Sequence, residues 1–107
     1  MLDLDIELTQ HTKTAFQQPI TEQDGALMRN VYVLNDDFTP MEFVLELMQR
    51  IFKLHAQKAE KVTMEAHYKG KALCGKYAKD LAETMACKAM EIAHKAGHPL
   101  MLITSKA

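Results

Sequence analysis

The feature that most constrains this chain is one compact stretch, residues 31–52, in which a strand, a turn and a helix start follow one another. Val31-Tyr32-Val33-Leu34 is a β-branched and aromatic run that reads as a strand, and Asn35-Asp36-Asp37 ends it. Four helix-start signals come next. Thr39 is placed to cap, Pro40 takes the first helical position, and Glu42 completes a capping box. Phe38 before the cap and Phe43 at the fourth helical position are spaced for a hydrophobic staple. Val44, Leu47, Met48, Ile51 and Phe52 then form an apolar stripe, with Glu42, Glu46, Gln49, Arg50 and Lys53 opposite. A strand and an amphipathic helix so closely joined belong to a fold that layers helices on a sheet.

The remainder supplies the other parts of that layer. A second helix is expected over roughly residues 57–68, with Ala59, Val62 and Ala66 inward, and Gly70 ends it. Ala72 to Tyr77 reads as a strand in which Gly75 marks a weak point or a bulge. A third helix is expected from about Lys79 to Lys95, with Ala82, Met85, Ala86, Ala89, Met90 and Ala93 on its apolar side. Gly97 and Pro99 stop it, and residues 100–104 are the last strand. The expected fold is α+β: a single small domain in β-α-α-β-α-β order, three antiparallel strands packed with three helices.

A length of 107 residues fits one core and not two. The formal net charge is −1 with no Lys/Arg cluster, which disfavours nucleic acid as a partner. No apolar run approaches the ~20 residues needed to cross a bilayer, and the first residues lack the pattern of a signal peptide. Cys74 and Cys87 are the only cysteines, and they read as reduced, partly buried thiols of a cytoplasmic protein. Residues 1–29 are expected to be a flexible tail and 30–107 the folded core. Within the tail, Leu2, Leu4, Ile6 and Leu8 alternate with acids; this reads as a flexible arm, with an edge strand as the alternative.

Residues 31–43, Val-Tyr-Val-Leu-Asn-Asp-Asp-Phe-Thr-Pro-Met-Glu-Phe, closely resemble the signature of the ClpS family. His67-Tyr68-Lys69-Gly70-Lys71-Ala72-Leu73-Cys74-Gly75 is similar to that family's second block, and His98-Pro99-Leu100 to its third. The resemblance implies a non-enzymatic adaptor. It would bind the free α-amino group and bulky side chain of an N-degron (Phe, Tyr, Trp or Leu) and deliver the substrate to a ClpA-type AAA+ unfoldase and its protease. It implies that Asn35, Asp36 and His67 hold the ammonium. Thr39, Met41, Val44, Thr63, Ala66 and Leu100 would line the side-chain pocket, with Asp37 and Pro40 at its rim and Met41 as gatekeeper. Thr63 and Ala66 stand where the family commonly has methionine and valine, which implies a roomier pocket favouring aromatic residues over Leu. Asp80, Glu83 and Met85 would meet the unfoldase's N-terminal domain, with Met85 in place of a family lysine, and the tail resembles the family's delivery segment. A monomer without cofactor or metal is expected.

The residue chemistry agrees with that implication. An α-ammonium has three donors and no acceptor, so its site must offer acceptors and negative charge, as a carboxylate, an amide oxygen and a neutral imidazole do. Taken singly, each feature has an ordinary explanation: Asn-Asp-Asp as turn chemistry, His67 as a surface histidine, Met41 and Val44 as helix residues. It is the three separated blocks together that favour the adaptor. The alternative is a general docking module like the C-terminal domain of the ribosomal stalk protein, which shares the layout; a cysteine-dependent enzyme is a weaker one. His94 and His98 have the spacing of paired metal ligands, but the Gly97 and Pro99 breakers make that reading weak.

Overall fold

A computed structural model describes residues 27–107. Its elements are β1 (Met28–Leu34), α1 (Met41–Ile51), α2 (Ala56–Lys69), β2 (Lys71–Ala78), α3 (Lys79–Lys95) and β3 (Leu102–Lys106). The order is the expected one, and the three strands form one antiparallel sheet in the order β2-β1-β3. The first strand in sequence is thus the middle strand. It begins at Met28 rather than Val31, because Met28 pairs with Ala78 and Arg29 with both Tyr77 and Lys106. The alternating segment at residues 2–8 lies outside the described residues.

Alternation along β1 buries Val31 and Val33 completely, and their neighbours Ala72, Cys74 and Leu102 face the same core. Where β1 meets β2 the register slips between Val31 and Tyr32, whose partners are Gly75 and Leu73. Cys74 is therefore the extra residue of a bulge, next to the glycine that suggested one. Gly75 also makes room for Tyr77: a Cβ there would lie 2.5 Å from the Tyr77 hydroxyl oxygen. The Tyr77 ring packs 6.2 Å from that of Phe52.

Helix α3 occupies the predicted span and buries Ala82, Ala86, Ala89 and Ala93, with Met85 and Met90 half-buried beside them. Single methyl groups let the helix axis approach closely. Helix α1 adds Val44, Leu47 and Met48, with Phe52 just after it, and α2 adds Ala59, Val62, Thr63 and Ala66. The buried Thr63 hydroxyl donates to the Ala59 carbonyl at 2.8 Å, so its polarity costs little. Gly70 closes α2 in the left-handed conformation, at φ 95°, and β2 starts at the next residue. No helix among the described residues is long and apolar enough to cross a membrane.

Three local expectations are corrected. The cap of α1 is Pro40, in extended conformation and without a side-chain capping bond, so Thr39 is not the cap and no capping box forms. Thr39 instead donates its hydroxyl to the Asp36 carboxylate, which also receives the Phe38 N–H at 3.1 Å; the aspartate turn wins the competition for these groups. The staple is absent too, since Phe38 is 80% exposed while Phe43 packs edge-on against His98 at 4.6 Å. Finally, β3 begins at Leu102, two residues late. Met101 still offers its carbonyl to Leu34 N–H at 3.0 Å, while Leu100 turns inward and is buried.

Close packing of α3 should make small-to-large changes costly. Ala89→Leu at this fully buried position is expected to destabilise by about 1–3 kcal/mol. Urea denaturation would show this as a lower midpoint with an unchanged slope. An unchanged midpoint would mean that the alanine face is not tightly packed.

Candidate functional site

The end of β1 is held on both sides. Leu34 N–H bonds to Met101 leading into β3, and Asn35 N–H bonds to the Gly70 carbonyl at 2.8 Å, at the end of α2. These bonds bring the Asn-Asp-Asp turn, the start of α1, the last turns of α2 and the approach to β3 around one cavity of about 270 Å³. That is near the low end of small-ligand pockets, which start at about 300 Å³, and suits one side chain with its amine.

All eleven residues assigned from sequence to the amine site, pocket and rim line this cavity: Asn35, Asp36, Asp37, Thr39, Pro40, Met41, Val44, Thr63, Ala66, His67 and Leu100. Asn35, Asp37 and His67 are exposed and Asp36 is half-buried, giving a polar mouth. Thr39, Val44, Thr63, Ala66 and Leu100 are buried and form the apolar interior, while Met41 remains 37% exposed between interior and solvent. Val33 and Leu34 also line the cavity and were missed. As residues of a central strand they carry only a core signal, and nothing in their type marks them otherwise.

The polar groups are partly engaged already. Asp36 accepts from the Thr39 hydroxyl and from Phe38 N–H, which fixes its rotamer and leaves lone pairs free on both oxygens. The Asn35 amide nitrogen reaches the Asp37 carboxylate at 3.5 Å, which turns the amide oxygen into an open acceptor. The His67 ring packs edge-on against Tyr68 at 5.0 Å, on the helix that Gly70 terminates. No lysine or arginine lines the cavity. The mouth is thus rich in acceptors and short of cations, and the interior is apolar.

Other candidates fall elsewhere. Asp80 and Glu83 are exposed and share the outer face of α3 with Thr84, Cys87, Lys88 and Glu91 around a shallow depression. Met85 turns toward the core instead and is half-buried. His94 and His98 do not converge: His94 Nε2 lies 3.1 Å from the Leu100 carbonyl, and His98 packs on Phe43. The cysteines are both free, but Cys87 is exposed, contrary to the expectation of partial burial for both.

Fold and cavity define a small α+β binding domain, and comparison with known proteins gives its family. Residues 26–103 match the family model described as ATP-dependent Clp protease adaptor protein ClpS. The chain is 34% identical over 103 residues to the ATP-dependent Clp protease adapter protein ClpS of Vibrio cholerae, covering 96% of this chain and 91% of that protein. Its counterpart in Vibrio atlanticus is 43% identical over 74 residues, 69% of this chain and 70% of that one. Among solved structures, Agrobacterium tumefaciens ClpS2 bound to L-phenylalaninamide superposes with a TM-score of 0.74 at 35% identity, covering 77% of this chain and 99% of that one. The chain belongs to the ClpS family. It is an adaptor of the ATP-dependent Clp protease and not an enzyme, and a Clp protease is its partner.

The two thiols should behave very differently. Burial pushes the Cys74 thiol up to about 12, opposed in part by a hydrogen bond with the Val33 backbone, so almost none is thiolate at pH 8. Iodoacetamide at pH 8 is expected to modify Cys87 alone in the folded protein and both cysteines in denaturant, read by mass spectrometry. Rapid labelling of Cys74 in the folded state would contradict the burial described here.

Proposed function

We propose that the cavity captures the unblocked N-terminus of a protein destined for degradation, binding its α-ammonium and its bulky first side chain together. The single observation that carries this is the convergence of Asn35, Asp36 and His67 at the mouth of a cavity whose interior is apolar. Three acceptors match three ammonium donors, and charge-assisted hydrogen bonds contribute about 1.5–3 kcal/mol each. A buried Leu or Phe side chain adds roughly 1.5–3 kcal/mol. The related structure's ligand, L-phenylalaninamide, carries the same two features: a free amine and an aromatic side chain.

Thr63 and Ala66 keep the interior wide, and Met41 stands at its edge, where extra bulk at the β-carbon of a first residue would collide. First residues Phe, Tyr and Trp are accordingly preferred to Leu, and Ile is rejected. Delivery involves more than capture. Residues 1–27, the part of the expected tail that precedes β1, act as the segment presented to a ClpA-type unfoldase, whose N-terminal domain docks on the α3 face carrying Asp80 and Glu83. The adaptor works as a monomer in the cytoplasm.

Fluorescence anisotropy with peptides that differ only at the first residue tests capture. Acetylating a Phe-first peptide removes a charge and leaves Asp36 short of a partner, so affinity should drop about 13- to 160-fold. Equal binding of free and acetylated peptides would remove the ammonium site.

Replacing the exposed imidazole should weaken capture, because His67 shares the mouth of the cavity with Asn35 and Asp36 and is one of the three acceptors offered to the ammonium. Unchanged affinity of a His67→Ala variant for a Phe-first peptide would take the imidazole out of that role.

Deleting residues 1–27, which stops short of β1, is expected to spare peptide binding and stop degradation of a Phe-first substrate by the purified Clp protease. Undiminished degradation would refute the delivery role.

A further inference from the structure

Beside the main cavity lies a second, smaller groove of about 150 Å³ between α1 and α2. The two share a wall, since Met41 and Thr63 line both. Leu45 and Met64, both half-buried, give the groove an apolar floor, and the exposed carboxylates of Glu42 and Glu60 stand at its edge. Among the described residues neither glutamate has an ion-pair partner; the pair found there is Lys95 with Glu91. An apolar floor ending in two carboxylates fits a side chain with a methylene stem and a cationic head, such as Lys or Arg.

We propose that this groove is a second subsite, which takes a lysine or arginine side chain at the third residue of the captured peptide. The inference rests on the N-terminal capture proposed above. With the ammonium held at Asn35, Asp36 and His67 and the first side chain inside the cavity, an extended peptide points its second side chain away. It returns its third to the protein roughly 6.8 Å further on. The shared Met41–Thr63 wall makes the groove the immediate neighbour of the cavity. Leu45 and Met64 cover the stem, and Glu42 and Glu60 meet the charge.

Anisotropy on the full chain with Phe-Ala-Ala, Phe-Lys-Ala, Phe-Ala-Lys and Phe-Ala-Glu peptides, otherwise identical, tests this. Lysine at position three should bind about five-fold tighter than alanine there, as an exposed ion pair allows, and glutamate should bind more weakly. The advantage should vanish near 1 M salt, where charges are screened within about 3 Å. Glu42→Gln with Glu60→Gln should level the lysine and alanine peptides; both positions are exposed, so the variant should fold. Equal binding of all four peptides, or the same gain from lysine at position two, would overturn the subsite while leaving N-terminal capture intact. If acetyl-Phe-Ala-Ala binds as well as Phe-Ala-Ala, capture itself fails, and the subsite falls with it.

Discussion

One backbone hydrogen bond organises the functional end of this molecule: Asn35 N–H to the carbonyl of Gly70. It joins two segments more than thirty residues apart, the turn that leaves the central strand and the glycine that caps α2. Asn35 and Asp36 belong to the first segment and His67 to the last turn of the second, so this contact fixes their spacing. The neighbouring bond from Leu34 to Met101 does the same for Leu100, the far wall of the cavity. A site assembled from four segments needs such ties, because each flexible part would otherwise lose entropy on meeting a ligand.

The central position of β1 explains why the ties are possible. Paired on both edges, this strand has its last residues positioned by two neighbours at once. Asp36 then steadies the turn from within, by taking the Thr39 hydroxyl and the Phe38 amide. A carboxylate so held is a structural staple whose rotamer is set before any ligand arrives. Preorganisation of this kind lowers the ordering cost of binding.

Much of this was legible in the residues. Periodicity located all three helices, and the α3 span was read to the residue because alanines and methionines recur at helical spacing and Gly97 follows. The residues that the family resemblance implied for the amine site and the pocket all line one cavity. What failed was chemistry that permits two outcomes. Thr39 has the right type for a cap, yet Asp36 offers its hydroxyl a charged acceptor three residues earlier. Phe38 has the right spacing for a staple, but His98, far along the chain, takes Phe43 first, and no local pattern reveals a tertiary partner. Leu100 looked like a strand residue because strand-forming residues continue through it; in the structure it turns inward and is buried, with His94 Nε2 3.1 Å from its carbonyl oxygen.

The alanine face of α3 has a consequence for how sequences of this shape can drift. At Ala82, Ala86, Ala89 and Ala93 nearly every replacement is larger, and the sheet behind leaves no slack to absorb it. Substitution is thereby steered to the opposite side of the same helix, where Asp80, Glu83, Thr84, Cys87, Lys88 and Glu91 are exposed. One helix thus combines a frozen side with an outward side that can be retuned without disturbing the cavity, none of whose lining residues belongs to α3.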